Sequence, residues 1–482
     1  MAGHQNDDAR QRSDSATAGQ APEKDAADPH DIYSESGALD REFVDEVRGA
    51  VERDEREHLQ ELIIRLHESE TGDVLTALPE GDRAHFVELL GQDFDFAALR
   101  EVDEAVRDQI VDALDTEQLA DGLTELDSDD AVYILEDLDE DERAEVLARL
   151  PFTERVRLRR ALDYPEESAG RRMQTEFVAV PPFWTVGQTI DYLREDDRLP
   201  ENFAQIYVVD PSFKLIGAVR LDRLLRQGRP VHISDLMEDA AHPIPVQTDQ
   251  EEAARIIERY DLLSAPVVDP NNRLVGVLTI DDVVDVIREE AEEDILRLAG
   301  VGDEELSDSV LDTTRSRFVW LLINLGTAVL ASFVIGLFDA TIQEMVALAI
   351  LMPIVASMGG NAATQTMTVA VRALATREID IYNARRIVTR ETVVGLLNGA
   401  MFAVLTGLMA WVWFGSSGLG IVIALAMVIN MLSAALAGIF IPLVLDRFGA
   451  DPAIASSVFV TTVTDVVGFF AFLGLAGWWF GL

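Results

Sequence analysis

The C-terminal part of the chain is dominated by five long apolar runs, and these constrain the fold more than any other feature. They lie near residues 318–338, 344–370, 393–414, 418–445 and 453–479, and each is long enough for the roughly 20 residues that a helix needs to cross a bilayer. Nearly all the acidic residues come before residue 318. We therefore predict a multidomain membrane protein, with an acidic soluble half joined to a five-span α-helical transmembrane domain at 313–482.

The charge balance excludes one class of partner. A net charge of -47 would repel the phosphates of a nucleic acid, so we predict no nucleic-acid partner and expect cations instead. Only two lysines occur, Lys24 and Lys214, and an acidic surface of this kind is also typical of proteins from salt-loving organisms. Specific spacings, rather than bulk charge, must therefore argue for ion sites.

No enzyme chemistry is predicted. The chain has no cysteine, which excludes disulfides, thiolate nucleophiles and cysteine zinc sites. It also has no phosphate-binding Gly-Lys-Ser loop, and none of its seven histidines lies near a nucleophile motif.

The soluble half begins with a predicted disordered acidic tail (1–38) and an all-α domain (39–165). The all-α domain contains apolar units of about twelve residues, as in LADGLTELDSDD, AVYILEDLDEDE and RAEVLARLPFTE. A unit this short cannot bury its apolar face alone, so we predict that the helices stack into a compact superhelix.

A second repeat follows, with strands and helices alternating. The segments IYVVDPSFKLIGAVRLDRLL and APVVDPNNRLVGVLTIDDVV each contain a strand ending at Asp-Pro, a turn, a strand with a glycine, and a helix. They resemble a tandem pair of α/β CBS domains, here 166–227 and 228–282, a module that usually binds a nucleotide or an ion. A connecting helix and linker (283–312) then lead to the membrane.

Arginines predict the orientation, because basic residues collect in short cytoplasmic loops. Arg315 and Arg317 precede the first span, and Arg447 follows the fourth. The loop after the second span is the most basic, with Arg372, Arg377, Arg385, Arg386 and Arg390. We predict a multi-pass protein of the cell membrane with a cytoplasmic N-terminus and an outward C-terminus.

Two spans carry polar residues at helical spacing. In the second span these are Ser357, Asn361, Thr364, Gln365 and Thr368; in the fifth they are Ser457, Thr461, Thr464 and Asp465, with Gly468 in the same register. Small polar residues often only hold membrane helices together. An aspartate at mid-span costs about 2.5 to 3.5 kcal/mol on insertion scales. We therefore predict an ion path at Asp465, with a protonated structural carboxyl as the alternative.

The donor atoms favour a hard cation, because the two polar faces supply oxygens and amides but no histidine or cysteine. Mg²⁺ fits well, since it keeps several waters and is usually held through one or two carboxylates. Calcium, manganese and cobalt stay open at this point.

The connecting helix carries a run of acidic residues, several of them on one face: Asp282, Asp285, Glu289, Glu290, Glu293 and Asp294. Like charges at this spacing repel, and bound divalent cations would relieve the repulsion and hold the helix in one position. The alternative is an ordinary solvated face.

The segments PIVASMGGNAATQTMTVAVRALATREI and DPAIASSVFVTTVTDVVG resemble the second-span and fifth-span signatures of the MgtE family of magnesium channels and transporters. The order of domains is also similar from about residue 55 to the end. Ala363 and Ser457 depart from residues frequent in the family, and both leave the oxygen-lined face intact.

The resemblance implies a homodimer in the lipid bilayer, with a pore at the subunit interface and Asp465 and Asn361 along it. It also implies that high internal Mg²⁺ locks the connecting helix closed, and that ATP can bind at the CBS pair. The implied cytoplasmic Mg²⁺ ligands are Asp249, Glu251, Asp261, Asp282, Asp285, Glu290, Glu293 and Asp294. The competing hypotheses are a CBS-regulated transporter of another cation or solute, with the acidic region sensing ionic strength or nucleotide, and a nucleotide-binding regulator merely anchored by its spans.

Overall fold

The computed structural model describes residues 32–34, 37–196, 198–200, 202–239, 242–299, 310–379, 383–448 and 452–481. It divides into two compact units, residues 1–126 with 130–156, and residues 127–129 with 157–482. Most of the predicted tail and residues 300–309 of the predicted linker lie outside the described residues. The predicted domain boundaries stay predictions.

Short helices repeat every twelve residues through the first unit and into the second. The helices α2 to α4 begin at residues 56, 68 and 80, and α5 to α9 begin at 104, 116, 128, 140 and 152. Two 3₁₀ turns, Gly91–Asp93 and Phe96–Leu99, take the place of the missing member. The bounds are α1 Arg41–Glu52, α2 Arg56–Ile63, α3 Glu68–Ala77, α4 Glu80–Leu90, α5 Glu104–Val111, α6 Thr116–Glu125, α7 Ser128–Glu136, α8 Glu140–Arg149 and α9 Phe152–Leu162.

An acidic N-cap and a buried apolar residue before it recur at the starts of helices in this repeat. An acidic N-cap precedes several of the helices; Asp115, for example, accepts hydrogen bonds from the backbone N–H groups of Glu117 and Gln118 at 3.0 and 2.8 Å. A buried apolar residue stands just before the cap, as at Leu138 and Leu150. Helices of eight to twelve residues are marginal alone, so their stability comes from stacking through these buried positions.

The second unit contains two small sheets built on the same plan. The first has the order β1-β2-β3-β4 and the second β5-β6-β7. In each, a two-residue strand pairs parallel with the next strand, which then pairs antiparallel with its successor. The strands are β1 Ala179–Val180, β2 Gln205–Val209, β3 Leu215–Arg220, β4 Glu238–Asp239, β5 Ile244–Pro245, β6 Ser264–Val268 and β7 Leu274–Thr279; the helices are α10 Ala169–Arg172, α11 Val186–Glu195, α12 Leu221–Leu225, α13 Gln250–Arg259 and α14 Ile280–Leu298.

The two repeats join at their Asp-Pro turns. The Asp210 carboxylate accepts from the backbone of Ser212 and Lys214, and Asp269 makes the equivalent bonds in its own turn. The turns then bond reciprocally, Leu215 N to Asn272 O and Leu274 N to Phe213 O, both at 3.0 Å. The repeat found in the sequence is thus a structural pair.

In the described part of the chain, five helices are long and apolar enough to cross a membrane, as predicted. They are span 1 α15 Val310–Gly336, span 2 α17 Ala347–Ala375, span 3 α18 Ala384–Phe414, span 4 α19 Ser417–Arg447 and span 5 α20 Pro452–Phe480, with a short helix α16 Asp339–Glu344 between spans 1 and 2. Span 2 begins later than predicted, because α16 occupies the start of that segment. Span 4 is the central helix and packs against spans 2, 3 and 5.

Gly217 in β3 provides a test of the repeat. A Cβ added there would lie 2.5 Å from the backbone oxygen of Glu238 in β4, which cannot move without breaking the pairing. We expect Gly217→Ala to destabilise this sheet by about 1–3 kcal/mol. Faster hydrogen exchange of the β3 and β4 amides in the full-length protein would show it.

Gly228→Ala is the matched control, because the nearest atom to its added Cβ is Pro230 Cδ at 3.7 Å, an ordinary contact. Unchanged exchange in Gly217→Ala would contradict the tight approach of the two strands.

Candidate ion pathway and acidic cytoplasmic face

Span 2 turns its polar residues away from the rest of the chain. Leu351, Val355 and Ala363 on the same helix are fully buried. The predicted polar residues are exposed: Ser357, Asn361, Thr364, Gln365 and Thr368. Ile350 and Val369 of this span are exposed as well. The polar stripe predicted from spacing is therefore a continuous surface on one side of the single chain.

The other outer spans show the opposite pattern. Exposed positions in span 1 include Phe318, Leu321 and Phe333, and those in span 3 include Val404 and Leu405. These side chains suit contact with lipid, whereas an amide or hydroxyl surface at membrane depth requires water, an ion or protein.

Span 5 packs along span 2 and holds Asp465 half-buried. Thr461, one turn earlier, is exposed, whereas Thr464 and Gly468 are buried. The predicted stripe of span 5 is therefore split between an outer and an inner face. No charged side chain of the described residues acts on the Asp465 carboxyl.

Threonine hydroxyls near this surface donate to their own helices. Thr368 donates to Thr364 O at 3.0 Å and Thr461 to Ser457 O at 2.8 Å. With the proton used this way, the lone pairs of each hydroxyl oxygen stay available to accept from water or to face a cation. These hydroxyl oxygens therefore add acceptors to the acceptors and donors of the Asn361 and Gln365 amides.

Outside the spans, the start of α13 lies beside α14. Asp249 caps α13 by accepting from Glu251 N and Glu252 N at 3.0 and 3.4 Å. Burial raises the pKa of Glu251, and the carboxylates of Glu290, Asp249 and Asp294 add to it. Glu251 keeps more than a third of its surface exposed, so solvent screens part of this effect. Four of the predicted ligands are thus brought together.

Glu290 on α14 has a raised pKa for the same reason. Burial is the largest cause, and Asp249 and Glu167 add to it, while a hydrogen bond from Gln250 and the charge of Arg297 oppose it. Gln250 Nε2 donates to Glu290 Oε1 at 2.6 Å. Negative charge is therefore concentrated where α13 meets α14.

Arg172 offsets part of this charge. Its guanidinium donates to Gln250 Oε1 at 2.9 Å and to Glu289 Oε2 at 2.8 Å. It thereby links the short helix α10, the start of α13 and the middle of α14 in one hydrogen-bonded network.

Other predicted ligands have different surroundings. Asp282 is 8% exposed and accepts from Thr279 in a capping box at the start of α14, so the structure gives it a helix-capping role. Asp285 pairs with Arg288 at 3.7 Å and Glu293 pairs with Arg297. Asp261 has a φ of 51° in the turn after α13, and it is exposed.

Among the described residues, no three histidine, cysteine, aspartate or glutamate side chains could hold a metal ion together. The acidic groups of α13 and α14 are neighbours rather than a preformed cage. Carboxylates in this arrangement suit an ion that keeps its waters, as Mg²⁺ usually does.

The end of α14 reaches the membrane helices. Leu298 packs against an apolar cluster that includes Met367 of span 2, Ala434 of span 4 and Val460 of span 5. Arg377, just after span 2, also donates to Glu252 of α13. A shift of α14 would therefore act directly on spans 2 and 5.

Sequence reasoning missed several of these residues. Arg172, Gln250 and Glu252 gave no signal, because their partners are distant in the chain. Asn430 of span 4, fully buried and bonded to Val355 O, could have been found by the rule that singled out Asp465, since it is also a strongly polar side chain at mid-span.

Comparisons with known proteins show which families this chain is similar to. Residues 352–475 match the family model MgtE, described as a divalent cation transporter; residues 66–167 match the MgtE intracellular N domain and residues 233–289 the CBS domain. A protein of Bacillus subtilis, named a magnesium transporter, is 31% identical over 404 residues, which are 84% of this chain and 90% of that protein. One of Thermus thermophilus with the same name is 35% identical over 316 residues, 65% of this chain and 70% of that protein.

Among solved structures, the soluble part of a magnesium transporter is 29% identical, covers 52% of this chain and 98% of its own, and has a TM-score of 0.48. A cytosolic domain of the Mg²⁺ channel MgtE in complex with ATP is 27% identical over 50% of this chain and 99% of its own, with a TM-score of 0.47. Because the similarity to the Bacillus protein extends over most of both sequences, this chain belongs to the MgtE family.

Proposed function

We propose that this protein is a channel or transporter for Mg²⁺, with a pathway along the polar face of span 2 beside Asp465 of span 5. The observation that carries the proposal is the exposed polar face of span 2 at membrane depth, with Ser357, Asn361, Thr364, Gln365 and Thr368 along it. Hydrated Mg²⁺ presents water protons to its surroundings, so hydroxyl, amide and carboxylate oxygens suit it. The magnesium transporters among its relatives support the choice of ion.

A second copy of the chain is the proposed cover for this surface. Two identical polar faces brought together across a two-fold axis would enclose a path with one Asp465 from each chain. Lipid would then contact only the apolar sides of spans 1 and 3. The functional protein is accordingly a homodimer with its pore at the interface.

Cytoplasmic Mg²⁺ is the proposed regulator. Glu251 and Glu290 are close enough to raise each other's cost of ionisation, and a divalent ion held there through its waters would offset that cost. Asp249, Asp294 and the remaining predicted ligands would extend this surface. Because Leu298 packs on the spans, holding α14 in place would hold the path closed.

The remaining features of the proposal concern orientation and nucleotide. The arginine-rich end of span 2 lies beside α13 through Arg377, which supports a cytoplasmic acidic half and an outward C-terminus in the cell membrane. Transport, not catalysis, is the activity, and the ion moves down its electrochemical gradient. ATP at the CBS pair would act as a ligand that tunes the gate.

The second candidate is a CBS-regulated transporter of another cation or solute. The arginine network on an acidic surface would then sense ionic strength. A carboxylate beside the pathway disfavours anions, so the competing substrates are other divalent cations or neutral solutes.

Asp465→Asn should abolish or strongly reduce Mg²⁺ flux, because it removes the charge that offsets the loss of the ion's outer water shell. Flux is measured as Mg²⁺ uptake into proteoliposomes that contain the full-length protein. Asp339→Asn, on the short helix between spans 1 and 2, is the matched control and should transport normally.

Wild-type flux in Asp465→Asn would remove this carboxylate from the pathway. No Mg²⁺ flux in the wild type, with flux of another solute, would favour the second candidate.

Acidification of the cytoplasmic face should reduce flux at low cytoplasmic Mg²⁺. The pKa values of Glu251 and Glu290 are raised while α13 and α14 are together, so protonation stabilises that arrangement and the stabilisation grows as pH falls through the raised values. The double variant Glu251→Gln/Glu290→Gln should lose this response, and its closure by Mg²⁺ should become shallower.

Glu258→Gln is the control for that experiment, since Glu258 is an exposed glutamate on the same helix α13. An unchanged pH response in the double variant would show that other groups control the gate.

Arg172→Gln should increase the cytoplasmic Mg²⁺ concentration needed for closure. The substitution breaks the link by which Arg172 holds Gln250 of α13 and Glu289 of α14 together, and a partly buried pair of about 1 kcal/mol corresponds to roughly fivefold. Arg288→Gln, which removes an exposed charge with a longer contact of 3.7 Å to Asp285, should shift closure much less. Closure of the Arg172 variant at the wild-type concentration would contradict the role of this network.

A further inference from the structure

Asn430 lies at the junction of spans 2, 4 and 5 and has no exposed surface. Its amide fits between two glycines. A Cβ added at Gly359 of span 2 would lie 2.1 Å from Asn430 Nδ2, and one at Gly468 of span 5 would lie 2.8 Å from the same atom. No larger residue at either position would leave room for the amide.

The amide is also a polar link between helices. Asn430 Nδ2 donates to the backbone oxygen of Val355 in span 2 at 2.8 Å. Its Oδ1 is buried and has no hydrogen-bond partner among the described residues. An apolar side chain of similar size would avoid this cost in a membrane interior, so packing alone does not account for an amide here.

The position of the two glycines relates Asn430 to the proposed pathway. Gly359 is two residues before Asn361, and Gly468 is three residues after Asp465. At a rise of about 1.5 Å per residue, each glycine is about 3–5 Å along its helix from the polar residue. Asn430 therefore contacts both pathway helices close to the level of their polar groups.

We propose that Asn430 is a positioning residue for transport, which sets the axial register between the polar face of span 2 and Asp465 of span 5. The donor on Nδ2 fixes span 2 through Val355 O, and the two glycine contacts seat spans 2 and 5 against the same amide. The spacing of oxygen groups along the path, and hence the preference among divalent cations, depends on that register. This inference rests on the proposed function, in which spans 2 and 5 line the path.

The test measures uptake of Mg²⁺, Mn²⁺ and Ca²⁺ separately into proteoliposomes, with the full-length protein and its variants. Asn430→Leu fills the space but cannot donate to Val355 O. We expect its Mg²⁺ flux to fall about tenfold, the factor that one lost buried hydrogen bond carries, and the ratio of Mg²⁺ to Mn²⁺ and Ca²⁺ flux to change. Wild-type flux with wild-type ion ratios would overturn the proposal.

Thr406→Val is the matched control in span 3. Thr406 is 8% exposed, and its hydroxyl donates to Phe402 O of its own helix at 2.7 Å. The variant therefore also removes a buried polar group, but the bond that is lost lies within span 3 and does not link the pathway helices. Its ion ratios should be unchanged. Ion ratios that change equally in both variants would assign the effect to general packing and overturn the proposal.

Asn430→Asp keeps the proposal testable if the leucine variant does not fold. A protonated carboxyl can donate to Val355 O as the amide does, whereas an ionised one has no donor. Flux of this variant relative to the wild type should therefore recover as pH falls. The other titratable groups on these three helices are Asp465, with Arg372, Asp446 and Arg447 near the helix ends, and comparison with the wild type at each pH removes their contribution. A ratio that stays below the wild-type level and does not change with pH would overturn the proposal.

Asp465→Asn is measured in parallel so that the two hypotheses fail separately. Lost flux in Asp465→Asn with normal flux and ion ratios in Asn430→Leu removes the register role alone. Absence of divalent flux in the wild type removes the proposed function and the inference together.

Discussion

A strongly polar side chain inside a bilayer must face something other than lipid, and this constraint organises the membrane half. Spans 1 and 3 expose mainly apolar residues, such as Leu321 and Leu405, with Asn324 of span 1 as an exposed polar exception. Span 2 does not satisfy the constraint within one chain, because Asn361 and Gln365 are exposed on its outer side. The spans of the single chain therefore pack into a bundle, but one side of this bundle is too polar to face lipid. In the proposed dimer, the partner chain covers the polar face of span 2, and the water-filled path between the two chains hydrates it.

In the acidic half that precedes the spans, the corresponding constraint is electrostatic. Carboxylates on α13 and α14 are close enough to disfavour ionisation, as at Glu251 and Glu290. Arg172 and Arg297 place positive charge beside these carboxylates and reduce the repulsion, but the pKa of Glu290 stays raised. A surface left partly uncompensated in this way can respond to a diffusible cation. One fully neutralised by arginines could not.

The sequence predicted the repeated and the membrane elements well, because their signals are local. The twelve-residue units each contain a cap and an apolar face, the Asp-Pro turns mark both α/β repeats, and the five apolar runs are long. Residue roles that depend on contacts across the chain were less predictable. Thr464 was placed on the same predicted polar stripe as Asp465 but is buried. The partners of Arg172 and Arg377 lie 117 and 125 residues away, a separation at which no pattern of spacing indicates a contact.

Comparison of the two α/β repeats shows how a small domain becomes connected to the membrane. The helix α12 after β3 has five residues, and the chain then reaches Gly228 and Pro230, which disfavour a helix. The equivalent helix α14 after β7 has 19 residues, since glutamate, alanine, leucine and arginine follow where the first repeat has those two residues. The greater length of α14 alone would give only a rigid helical connection to the membrane. Glu290 lies on this extension, where burial and the carboxylate of Asp249 raise its pKa, so the proposed dependence of the helix position on cations involves a residue that also lengthens the helix.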